Sequence, residues 1–77
     1  MLEKIFGQVL KNLRENTGVT QEILALNSEL DRTYISLLER GLRTPTIATL
    51  FKMAPTLKKM PSEIIAIVEQ KLNEDRV

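Results

Sequence analysis

An all-α fold is predicted by three observations on the sequence. Apolar residues recur at helical spacing along almost the whole chain, no segment alternates strictly between apolar and polar residues, and residues that start or stop helices stand at the edges of the periodic stretches. Ile5, Phe6, Val9, Leu10 and Leu13 form one stripe opposite Lys4, Gln8, Lys11 and Glu15, which predicts a first helix stopped at Gly18. Thr20 can accept a bond from a free first-turn amide, and Glu22 suits the positive end of a helix. TQEILALN (20–27) therefore predicts a short second helix that turns Ile23 and Leu24 inward, although Ile23 stands where a full capping box needs Glu. Asp31 is the predicted cap of a third helix, DRTYISLLER (31–40), ending at Gly41. Only Ser28, Glu29 and Leu30 separate it from the second, so the pair forms a helical corner. Thr44, Pro45 and Thr46 predict a loop and cap for ATLFKM (48–53), and Pro55, which has no backbone donor, ends or kinks that helix near Ala54. Pro61, followed by Ser62 and Glu63, opens a fifth helix at about 61–73. The five helices are read as one domain spanning 1–77, without internal repeats.

The 77 residues contain no cysteine and no histidine. Zinc fingers, thiol chemistry and imidazole-dependent triads are thereby excluded, and no catalytic residue, metal or cofactor is assigned. The chain is not expected to be an enzyme. Aromatics are only 4%, which leaves little for stacking on single-stranded bases. No apolar run is long enough to span a membrane, and MLEKIFGQVLKN lacks the apolar core of a signal peptide, so the chain is read as cytosolic. The net charge of +1 conceals segregation: residues 17–31 carry three acids and no base, whereas residues 32–60 carry six bases and one acid. A basic middle between acidic flanks fits an anionic partner; a merely solvated surface is the plainer alternative.

The third helix sharpens this. With Arg32 at zero and about 100° per residue, Ser36, Arg40, Thr33 and Leu37 fall between about 40° and 140°, and Tyr34, Leu38 and Ile35 between about 200° and 300°. Ile35 and Leu38 should be buried, with Tyr34 at their margin. The opposite arc carries two arginines and two hydroxyls, the groups that read base edges in a major groove, although an ordinary solvated helix face has the same polarity.

The stretch TQEILALNSELDRTYISLLERGLRTPTIATL resembles the helix-turn-helix family of phage repressors, Cro proteins and XRE-type bacterial regulators. The TQE opening, Leu24-Ala25, Leu30, the Ile35 and Leu38 spacing, and ERG followed by Arg43 and Pro45 carry the likeness. LDRTYIS with ER and a nearby Arg also resembles the controller proteins of restriction-modification systems. The resemblance implies a compact five-helix domain of the phage-repressor-like type with a central helix-turn-helix. Its function would be a sequence-specific, double-stranded DNA-binding regulator of transcription in the bacterial or phage cytoplasm, associated with the nucleoid. Helix 31–40 would lie in the major groove of a palindromic operator, with control of restriction-modification genes as the narrower expectation. Arg32, Thr33, Ser36 and Leu37 would face the bases. Gln21, Tyr34, Arg40 and Arg43 would meet the backbone or a groove. Arg14 and Glu39 match the family's pair joining helix one to the end of the third, and Ala25 is the small residue that lets the motif helices approach. The family's turn usually holds a left-handed Gly; here it is Glu29, at a strain of roughly 1–2 kcal/mol.

Ile64, Ile65, Ile67, Val68 and Leu72 span a wide apolar arc on helix five. Ile64, Ile67 and Val68 are the predicted dimer interface, in a homodimer that places two recognition helices about one DNA turn apart. RNA polymerase is a further candidate partner. The alternative reading is an antitoxin-type or other protein-interaction module on the same fold.

Overall fold

The computed structural model describes residues 1–75, and among them contains five helices and no strand. The helices are α1 (Leu2–Thr17), α2 (Gln21–Ser28), α3 (Arg32–Glu39), α4 (Ile47–Met53) and α5 (Pro61–Asp75). The apolar stripe of α1 buries Ile5, Phe6, Val9 and Leu10, with Leu13 at the margin. Gly18 ends the helix in the left-handed region at φ 81°, where its N–H returns to the Arg14 and Glu15 carbonyls.

The cap of α2 is as expected: Thr20 Oγ1 accepts from the Ile23 N–H at 3.1 Å. The inward face is not. Leu24, Ala25 and Ser28 are buried, whereas Ile23 is 42% exposed, because α2 meets α3 and α4 along the line through residues 24, 25 and 28. The turn that follows keeps the left-handed geometry, with Glu29 at φ 56°, ψ 42°. Leu30 N–H reaches back to the Ala25 carbonyl at 2.9 Å. The backbone bonds that close the end of α2 thus hold a non-glycine residue in a region that disfavours it.

Asp31 occupies the cap position of α3 in extended backbone, but its side chain makes no capping bond, a departure from the expected role. The helix also closes at Glu39, with Arg40 as its C-cap. Ile35 and Leu38 are fully buried and Tyr34 is half-buried, as the helical projection requires.

Thr46 caps α4 through a bond from the Thr49 N–H at 3.1 Å. The helix ends at Met53, and the chain continues past Pro55 in a turn that carries Leu57 into the core. Pro61 opens α5, where Glu63 Oε1 accepts from the Met60 N–H at 2.8 Å and so satisfies a donor ahead of the first turn. This helix runs to Asp75, two residues beyond the expected end.

Leu10, Leu24, Ile35, Leu38, Met53 and Ile64 form the centre of the core. Each such side chain contributes about 1.5–3 kcal/mol by leaving water. With α1 packed on α3 and α5, and α2 on α3 and α4, the core lies behind α3 and leaves its other face to solvent.

Candidate nucleic-acid interface

The uncovered side of α3 carries Arg32, Thr33 and Arg40, all exposed, with Ser36 and Leu37 half-buried between them and the core. Arg43 is exposed in the loop that follows. The structure therefore brings the four expected base-facing residues onto one surface, with Arg40 and Arg43 at its trailing end. A helix of this width fits a major groove, and its guanidinium and hydroxyl groups match base-edge donors and acceptors.

Tyr34 stands between this surface and the core. Its hydroxyl lies 3.5 Å from both the Thr44 carbonyl and Thr49 Oγ1, at the long limit of hydrogen bonding. The side chain packs against the core, and its hydroxyl reaches toward the loop before α4.

Gln21 is half-buried and already engaged. Its Nε2 donates to Glu39 Oε1 at 3.0 Å, so one amide hydrogen is committed within the protein and the other remains for an outside acceptor. Glu39 in turn accepts from Arg14 twice, Nε to Oε2 at 2.6 Å and Nη2 to Oε1 at 3.1 Å, while Arg14 Nη1 donates to the Val19 carbonyl at 2.9 Å. The Glu39 bond raises the Arg14 pKa above its ordinary value, so this cation stays charged wherever the protein is folded. Four parts of the chain meet here: α1, the 18–20 turn, α2 and α3. Their relative placement fixes how α3 is presented.

One feature of the surface was invisible to sequence reasoning. Arg32 Nε lies 3.2 Å from Glu22 Oε2, so the first residue of α3 is paired with an acid in the first turn of α2. The sequence assigns Glu22 a helix-end role, and ten residues of separation across a turn give no periodic signal for the contact.

The interface expected on α5 needs correction. Ile64 and Val68 are 1% and 8% exposed, because they pack into the protomer's own core, and Ile67 is half-buried against it. Ile64 and Val68 have little surface left for a second chain. Among the exposed apolar residues are Leu2, Ile47, Phe51 and Ile65. Leu2, Ile47 and Ile65 border a shallow apolar groove of about 280 Å³ floored by Phe6, Leu50 and Ile64.

No helix among the described residues is long and apolar enough to cross a membrane, and no group of three or more acidic side chains is arranged to hold a metal ion.

The chain resembles known proteins over most of its length. It is 33% identical over 69 residues to the uncharacterized HTH-type transcriptional regulator y4dJ of Sinorhizobium fredii, covering 90% of each chain. It is 41% identical to the restriction-modification controller protein C.AhdI of Aeromonas hydrophila, whose crystal structure superposes with a TM-score of 0.76 over 79% of this chain and 92% of that one. The controller protein C.Esp1396I, solved as a tetramer in complex with its natural 35-base-pair operator, is 36% identical with a TM-score of 0.80 over 91% of this chain and 92% of that one. The helix-turn-helix family model matches residues 10–64, a span that contains α2, the turn at Glu29 and α3. On that match, and on the two-helix corner that carries it, the chain belongs to the helix-turn-helix family.

Proposed function

We propose that this protein is a sequence-specific regulator of transcription that binds double-stranded DNA, of the kind that controls restriction-modification genes, and that it has no catalytic activity. The observation that carries this reading is the solvent-facing arc of α3, led by Arg32 and Thr33, on a corner of the helix-turn-helix family. Residues 1–77 form one domain in this reading. Arg32, Thr33, Ser36 and Leu37 read base edges; Gln21, Tyr34, Arg40 and Arg43 hold phosphates or a groove. Regulation is exerted on RNA polymerase, by occluding a promoter or by contact, on the DNA of a bacterial or phage cytoplasm.

The decisive experiment is duplex selection at physiological salt, followed by titration of the selected duplex and a random one. Arg32→Ala should reduce the ratio of the two affinities by about five- to 150-fold, the worth of one bidentate Arg–guanine contact. An unchanged ratio removes Arg32 from base reading. Affinity for either duplex should fall steeply as salt rises.

A homodimer completes the proposal, with Ile65 and Ile47 rather than Ile64 and Val68 at its centre. Their exposed apolar surface flanks the groove, and a twofold pairing across it would set two copies of α3 about 34 Å apart on a palindromic site. Ile65→Asp leaves the protomer's core intact because Ile65 is 49% exposed. Sedimentation should show this variant as a monomer with an unchanged circular-dichroism spectrum and at least about tenfold weaker operator binding, since linked half-sites gain affinity from effective concentration. A dimeric Ile65→Asp variant places the interface elsewhere.

A further inference from the structure

Gly41 is where α1 meets the trailing end of the reading surface. At φ 76° it brings its backbone so near α1 that a Cβ would lie 2.9 Å from Lys4 Cα and 3.3 Å from Lys4 Cγ. The stem of Lys4 therefore runs beside the residue that follows Arg40 and precedes Leu42 and Arg43. Lys4, Arg40 and Arg43 are all exposed, and Lys4 makes no ion pair among the described residues. With Leu2 at zero on α1 and about 100° per residue, Phe6 falls near 40°, Gly7 near 140° and Lys4 near 200°. Leu2 and Phe6 line the apolar groove, and Gly7 packs on the end of α3. Lys4 thus lies on the α3 side of α1, turned away from the groove at which the homodimer pairs.

We propose that Lys4 is a further DNA-binding residue, whose ammonium takes a backbone phosphate beside those held by Arg40 and Arg43. The inference rests on the reading of these two arginines as backbone contacts. Helical periodicity gives Lys4 only a place on the polar face of α1; the close approach at Gly41 is what adds it to the basic edge. A point charge on a flexible stem suits a phosphate better than a base edge, so Lys4 adds affinity without selecting sequence. The interface then extends from the two-helix corner onto α1, which Gly7 and Arg14 hold against the same end of α3.

The test titrates the parent, Lys4→Gln, Lys4→Arg, Arg43→Ala and Lys71→Gln with selected and random duplex over a salt series. Glutamine removes the charge and keeps a helix propensity close to that of lysine. Loss of one phosphate contact should lower the slope of log affinity against log salt by about 0.9 in Lys4→Gln. At physiological salt this amounts to about fivefold weaker binding to both duplexes, with the ratio of the two affinities unchanged. Lys4→Arg keeps the charge and should keep the parent's slope. Lys71 is exposed on α5, outside the surface assigned to DNA, and Lys71→Gln should change the slope by less than about 0.3.

An unchanged slope in Lys4→Gln beside a lowered one in Arg43→Ala overturns the proposal. So does an equal fall in Lys71→Gln, which would make the effect one of net charge alone. Failure of the underlying reading shows separately, as Arg43→Ala and Lys4→Gln variants that both keep the parent's slope, because the trailing end of α3 would then not lie on the duplex. Circular dichroism should give Lys4→Gln the parent's spectrum, and a folding defect would lower the active fraction without changing the slope.

Discussion

Arg14→Ala is expected to destabilise the protein by about 3–5 kcal/mol, a large part of the roughly 4–12 kcal/mol that a domain of this length possesses. The reason is what remains rather than what is removed. The Glu39 side chain is 3% exposed, and without Arg14 it is a buried carboxylate whose remaining side-chain partner among the described residues is the Gln21 amide. The Val19 carbonyl also loses its donor. Urea denaturation checks the magnitude, and the melting temperature should fall by about 4–8 °C for each kcal/mol lost. Arg14→Lys should recover only part, because an ammonium cannot bond both carboxylate oxygens and the Val19 carbonyl in one plane. Replacing both partners by apolar residues of similar size, Arg14→Met with Glu39→Leu, should cost less than Arg14→Ala alone. A loss below about 1 kcal/mol for Arg14→Ala would mean that the pair is solvated and does not bind the corner to α1.

The second large effect is expected at Gly7. A Cβ at this position would lie 2.5 Å from the Leu38 carbonyl oxygen and 2.6 Å from that of Glu39. Both obstacles are backbone at the C-terminal end of α3, so no side-chain rotation relieves them. Gly7→Leu must push α1 away from α3 and should cost about 3 kcal/mol or more, at the upper end of overpacking penalties. The gain in helix propensity, about 1 kcal/mol, is too small to compensate. Gly7→Ala should share the sign with a smaller size. Denaturation midpoints measure both, and a Gly7→Ala variant as stable as the parent would show that α1 can slide without loss. These two sites act on the same junction. Gly7 permits the close approach of α1 to the end of α3, and Arg14 ties it there through Glu39.

The helices themselves were legible because their signals are local. The Thr20 and Thr46 caps, the Gly18 stop, the break before Pro55 and the start at Pro61 each depend on one or two residues and their own backbone. The left-handed turn at Glu29 was legible for a different reason: the residues around it match a family whose turn has that geometry, and the backbone bonds keep it despite the side chain. Errors arose where the answer depends on which element lies opposite. Ile23 and Leu24 are adjacent and equally apolar, and only the position of α3 and α4 decides that one is buried and the other is not. On α5, the periodicity revealed an apolar arc but not how much of it α1 would consume; Ile64 and Val68 went to the core and Ile65 to the surface. Asp31 has the right backbone for a cap, yet its side chain makes no capping bond.

The sequence by itself determined the number and order of the helices, the buried stripes of α1 and α3, and the chemical character of the arc on α3. These follow from periodicities and caps that operate within a few residues of chain. Only the tertiary structure decided that Gly7 is the close contact between α1 and α3, that Gln21 joins the expected Arg14–Glu39 pair, and that Glu22 lies against Arg32. Each of these joins groups on different helices. Their distances depend on how the helices cross, and crossing is set by the summed fit of many side chains, a quantity that no local stretch of sequence contains.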